Sequence, residues 1–139
     1  SAGDRFNRMN LFIDTNIFVR HLTGDPPEQA AAATRYLAAA DDLVLEDLIV
    51  AEVAYVLESV YKATRADIAL GLRAILGFPA IRVADAELLG RTVEIYDVNG
   101  LDFAEAYLIA SAERSGVGVV ASFDRQIDRV GTVRREEPS

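Results

Sequence analysis

Asp14, Glu52, Glu105 and Asp124 each follow or open a strongly apolar segment, and that placement gives them a possible common task. Asp14 ends the unbroken run Leu11-Phe12-Ile13. Asp124 comes directly after Val117-Gly118-Val119-Val120-Ala121 and the linking Ser122-Phe123. Glu52 lies early in the apolar stretch Leu48 to Tyr61, and Glu105 lies in the opening turn of a segment that starts at Asp102. Carboxylates gathered within a few ångströms repel, and one is forced to take up a proton. A divalent cation removes the conflict, and a donor set made only of oxygen selects a hard ion such as Mg²⁺ or Mn²⁺. Such an ion can polarise a phosphodiester and lower the pKa of a water it binds, which makes a nucleophile near neutral pH. Thr15, Asn16 and Ser122 are suited to orienting ligands or water behind the acids. Plainer uses exist: Asp14 as a helix cap, Asp102 with Glu105 as a capping box, and Glu52 on a solvent stripe.

The elements that must position these acids are legible in outline. Short apolar runs bounded by polar residues read as strands buried on both faces: Leu11 to Ile13, Leu43 to Leu45, Ile81 to Val83 and Val117 to Ala121. Helices are expected from Ile17 to Leu22, then after the start signal Asp25-Pro26-Pro27-Glu28 to about Ala40. The next helix, Leu48 to Tyr61, carries apolar residues round most of its circumference and is expected to be largely buried, Glu52 included. Thr64 and Asp85 open two more helices, and Asp102 opens a last one that Gly116 ends. Gln126 to Arg129 suits a helical turn and Val130 to Val133 an edge strand. Strands alternating with helices imply an α/β fold: one central parallel sheet of about four to five strands, with helices on both faces. Strand ends and helix starts then share an edge, where the acids converge if the first and fourth strands are neighbours.

Composition bounds the rest. The chain has 139 residues and 51% are hydrophobic, enough for one domain with a real core. Residues 1–8 read as an N-terminal extension, with Ser1-Ala2-Gly3 like a cloning remnant and Met9 a plausible start; residues 9–133 form the domain and 134–139 a polar tail. No run approaches the roughly 20 apolar residues of a membrane span, and no signal-peptide core is present. Cysteine is absent, which excludes disulfides, thiolate metal sites and cysteine nucleophiles. The simplest location is the cytoplasm. The net charge of −8 argues against broad phosphate binding by charge alone.

In order along the chain, Ile13-Asp14-Thr15-Asn16, Ala51-Glu52-Val53, Asp102-Phe103-Ala104-Glu105-Ala106 and Ser122-Phe123-Asp124-Arg125 resemble the pattern of the PIN domain family. The size and single-domain form are similar to the VapC-type toxins of toxin–antitoxin pairs. The resemblance implies a Mg²⁺- or Mn²⁺-dependent endoribonuclease cutting single-stranded RNA. Asp14, Glu52, Glu105 and Asp124 would be its catalytic and metal-holding acids. It further implies a homodimer and a small antitoxin protein that blocks the site. The third acid is often Asp in that family; here Glu105 takes the place, with Asp102 as an accessory ligand or cap.

Other residues bear less weight. Arg20, Arg125 and Arg129 are candidates for RNA phosphates, against the alternative that they pair with the many acids. His21 is the only histidine, so a two-histidine nuclease is excluded, and it reads as structural or surface. Tyr55, Tyr61, Tyr96 and Tyr107 are expected in core or interface rather than stacking on bases. Thirteen of the fourteen basic residues are arginine, and the single lysine, Lys62, sits mid-chain. That disfavours receiver domains and haloacid-dehalogenase-type phosphatases, which use a lysine after a later strand. The rival from another class is a catalytically silent module of the same fold that holds RNA or a protein without cutting.

Overall fold

A computed structural model describes residues 11–139, so the expected N-terminal extension lies outside the described residues. The chain alternates strands and helices: β1 (Leu11–Phe12), α1 (Thr15–Thr23), α2 (Pro27–Ala39), β2 (Leu43–Val44), α3 (Asp47–Ser59), α4 (Arg65–Leu76), β3 (Ile81–Arg82), α5 (Ala86–Asn99), α6 (Phe103–Ser115), β4 (Val119–Ala121), a 3₁₀ turn (Arg125–Arg129) and β5 (Arg134–Glu136). All ladders are parallel, in the order β1-β2-β3 and, separately, β4-β5. Leu11 pairs with Leu43 and Leu43 with Ile81, so three strand ends come into line and the segments after them start on one edge. The class is α/β, as expected. The first and fourth strands, however, are not paired with each other among the described residues.

Helix ends follow local chemistry. Asp14, Thr64, Asp85 and Asp102 accept hydrogen bonds from backbone N–H groups in the first turns of α1, α4, α5 and α6. Gly24, Gly100 and Gly116 close α1, α5 and α6 in the left-handed conformation, which costs glycine little. The start of α2 differs from expectation: Pro26 holds the cap position and has no side-chain oxygen to offer, while Asp25 accepts from the Tyr61 hydroxyl at 3.3 Å.

The core is built where helices meet the short strands. Phe18, Leu43, Leu72, Leu89, Tyr96 and Ile109 are fully buried, and α5 packs between α4 and α6. Three expectations about burial and pairing change. Leu11 and Phe12 are 39% and 70% exposed, so β1 is not covered on both faces; only Ile13 beyond it is buried. Helix α3 is buried on one side only, through Val50, Val53, Ala54 and Leu57, and turns Leu48, Glu52 and Tyr55 outward at helical spacing. The last strand is Arg134–Glu136 rather than Val130 to Val133, so residues read as a loose tail pair with β4 instead. Arg135 explains the shift: its guanidinium reaches Asp128, Glu137 and the Ser122 carbonyl. A charged side chain can hold an edge strand that apolar patterning does not reveal.

Candidate active site

The acids assemble in two parts. In the first, Asp14 sits just past β1 and caps α1, its Oδ1 accepting from the Thr15 N–H at 2.8 Å. Thr15 is buried, and its hydroxyl donates to Glu52 Oε2 at 2.7 Å. Glu52 thus stands beside the Asp14 turn, on the solvent side of α3 rather than buried in it. The neighbouring Thr15 hydroxyl is its donor there.

The second part brings acid onto acid. Asp102 caps α6, its Oδ1 accepting from the Glu105 N–H at 2.7 Å. In a capping box the Glu105 carboxyl would turn back to the cap residue. It turns instead to Asp124, with which it shares a hydrogen bond. Two carboxyl groups can hydrogen-bond only if one carries a proton. That contact is the main cause raising Glu105 to about 7, with burial next and then the charges of Asp102 and Asp124; Arg129 opposes the shift. The same contact holds Asp124 below the usual carboxylate range, with help from the Gln126 N–H and from Arg129 and Arg135. Asp124 is fixed from its own loop: Oδ1 accepts from Gln126 N–H at 2.9 Å and its N–H donates to Ser122 Oγ at 2.9 Å.

Glu52 and Asp102 line one groove of about 700 Å³, which joins the two parts. Among the described residues, no three Asp, Glu or His side chains stand close enough together to hold a metal ion. Bare carboxylates repel, and the contact between Glu105 and Asp124 raises the one and lowers the other. The donor chemistry fits a hard divalent cation, since every candidate ligand is an oxygen. Asp14 and Glu52 are exposed, while Glu105 and Asp124 are only partly covered, so their side chains have room to turn.

The remaining candidates separate clearly. Arg129 faces both Glu105 and Asp124 and also donates to the Gly100 carbonyl at 3.4 Å. Arg20 is half-buried and Arg125 exposed, and neither side chain is ion-paired or hydrogen-bonded among the described residues. Asn16 is exposed at the start of α1. His21 meets Thr34 at 2.8 Å and the edge of Phe78, a structural position between helices. One feature absent from the sequence reading is Asp47, whose Oδ2 accepts from the Tyr107 hydroxyl at 2.5 Å. Among the described residues its other oxygen is buried without a partner, and the contact pushes Tyr107 up to about 12. The two residues are sixty positions apart, and no local pattern announces the pair.

Compared with known proteins, residues 11–133 match the family model described as the PIN domain. No curated protein matches the chain.

Proposed function

The chain belongs to the PIN domain family, and from that premise we propose that it is a metal-dependent endoribonuclease acting on single-stranded RNA. PIN domains are in general metal-dependent nucleases, though some are inactive. The observation that carries the reading is that Glu105, in the first turn of α6, and Asp124, just past β4, face each other, so that their contact raises one and lowers the other, and a cation held there would ease the conflict. Asp124 and Glu105 would hold a Mg²⁺ or Mn²⁺ ion, with Asp14 and Glu52 closing on it and Asp102 standing by. When bound, such an ion supplies Lewis acidity at a phosphodiester and makes water a better nucleophile. The chain's own part is to aim the carboxylates: Thr15 holds Glu52, Ser122 and Gln126 hold Asp124, and Asp102 fixes the turn that carries Glu105. Arg129 is placed to neutralise a phosphate brought to the pair.

The size and the order of the acidic motifs support a toxin of a toxin–antitoxin pair, working as a homodimer and held in check by an antitoxin protein. A silent RNA- or protein-binding module is the second reading, and it draws on the fact that the acids touch in twos rather than threes. Incubation with a mixed RNA pool in Mg²⁺, Mn²⁺ or chelator, followed by mapping of the cut ends, decides between them. Metal-dependent cuts support the nuclease; identical RNA ends in all three conditions remove it.

A further inference from the structure

Two grooves open beside the Thr15–Glu52 hydrogen bond. One, of about 700 Å³, takes in Glu52 itself together with Tyr55, Lys62, Asp102 and Phe103. The other, of about 360 Å³, takes in Asn16, next to Thr15, together with Arg20 and Tyr36. The pair repeat one composition: a tyrosine ring open to solvent and a cation in the same groove. Tyr55 is 71% and Tyr36 46% exposed, so neither ring is covered by the chain's own core. Among the described residues the Lys62 and Arg20 side chains make no ion pair or hydrogen bond, although the chain carries 22 acids. Most other arginines do find carboxylates or carbonyls, including Arg65, Arg73, Arg91 and Arg114. Lys62 also stands in the left-handed backbone region, at φ 55, where glycine would be less strained.

We propose that these grooves are the two arms of one path for a single strand of RNA, with a base stacked on Tyr55 in one arm and on Tyr36 in the other. Lys62 and Arg20 take phosphates beside those bases, and Glu52 and Asp102 stand along the larger arm. Aromatic platforms spaced along a backbone-tracking set of cations are how proteins hold single strands with little sequence preference. A duplex cannot offer its base faces to either ring, since they are already stacked. Glu58 lines the Tyr55 arm, with one oxygen accepting from the Tyr96 hydroxyl at 3.2 Å and the other left to meet a base edge, where a carboxylate accepts from the amino group of cytosine or adenine. The larger arm is therefore the one expected to discriminate between bases. This inference rests on the reading of the chain as an enzyme for single-stranded RNA.

The test measures binding of single-stranded RNA oligonucleotides of increasing length to the full chain in chelator, where nothing is cut. Tyr55→Ala and Tyr36→Ala should each weaken binding about ten-fold, and the phenylalanine variants should restore it. Lys62→Gln and Arg20→Gln should each lower the slope of log Kd against log salt by about 0.7. Oligonucleotides too short to reach both arms should respond to one tyrosine and not the other. Unaltered affinity in both alanine variants with unchanged melting, duplex binding as tight as single-strand binding, or undetectable RNA binding by the unaltered chain overturns the path. A protein occupant of the grooves would give the first of these results. Metal-dependent cleavage without any tyrosine dependence would leave the nuclease standing and remove the path; tyrosine-dependent binding without cleavage would do the reverse.

Discussion

The two parts of the acidic site solve the same electrostatic problem differently. Glu52, from the first half of the chain, leans on a neutral donor, the buried Thr15 hydroxyl. Glu105 and Asp124, from the second half, face each other, and that contact raises Glu105 and lowers Asp124. The first arrangement meets its acid with a donor, and the second sets acid against acid.

The contrast can be broken most decisively at Asp124. Asp124→Asn should cut RNA cleavage by about 10²–10³-fold or more, measured by end mapping on a defined RNA. Asp14→Asn should do the same while leaving the melting temperature nearly unchanged, since asparagine caps a helix as well as aspartate does. Adding Mn²⁺ at about a hundred times its Kd should raise the melting temperature by roughly 9 °C, read by calorimetry. No rise would show that the second part does not gather an ion, and would favour the silent module. A smaller effect follows from the raised pKa of Glu105. Without metal, Glu105 keeps its proton up to about pH 7 when folded but loses it near 4.5 when unfolded. The folded state thus binds more protons across that window, and stability should fall as pH rises from about 5 to about 8. The fall should be a few degrees at most, because the pair is open to solvent, and Glu105→Gln should flatten it. Smallest of all, Thr15→Val should cost about 0.5–1 kcal/mol and leave that pH profile unaltered. A profile altered by Thr15→Val would mean that the two parts are already one coupled cluster.

Much of this arrangement can be read from residue order, and the unreadable portion has a common cause. Asp14, Asp85, Asp102 and Gly116 act where local chemistry puts them, because caps depend on a few consecutive residues. A helix start and a strand end on one edge suit the facing of Glu105 and Asp124, whereas the expected convergence of all four acids depends on β1 and β4 being neighbours, and those strands are not paired among the described residues. Burial was read less well. Leu48 is as apolar as Val50 and Val53, yet faces water, since periodicity shows that a helix has an apolar surface without showing how much of it finds a neighbour. The Asp47–Tyr107 bond and the Arg135 contacts join distant segments through single side chains, and sequence patterning is blind to such links.

The β4–β5 ladder has a practical bearing on any work with this chain. Ser122 N–H donates to the Glu136 carbonyl at 3.0 Å, and Arg135 grips the Ser122 carbonyl from the other side at 3.0 Å. Those two bonds clamp the loop that presents Asp124. An expression vector that stops short of Arg134, or a protease that trims there, would unfasten a carboxylate ten positions upstream and leave the rest of the fold standing. An inactive preparation should therefore have its terminus checked by mass spectrometry before its chemistry is doubted.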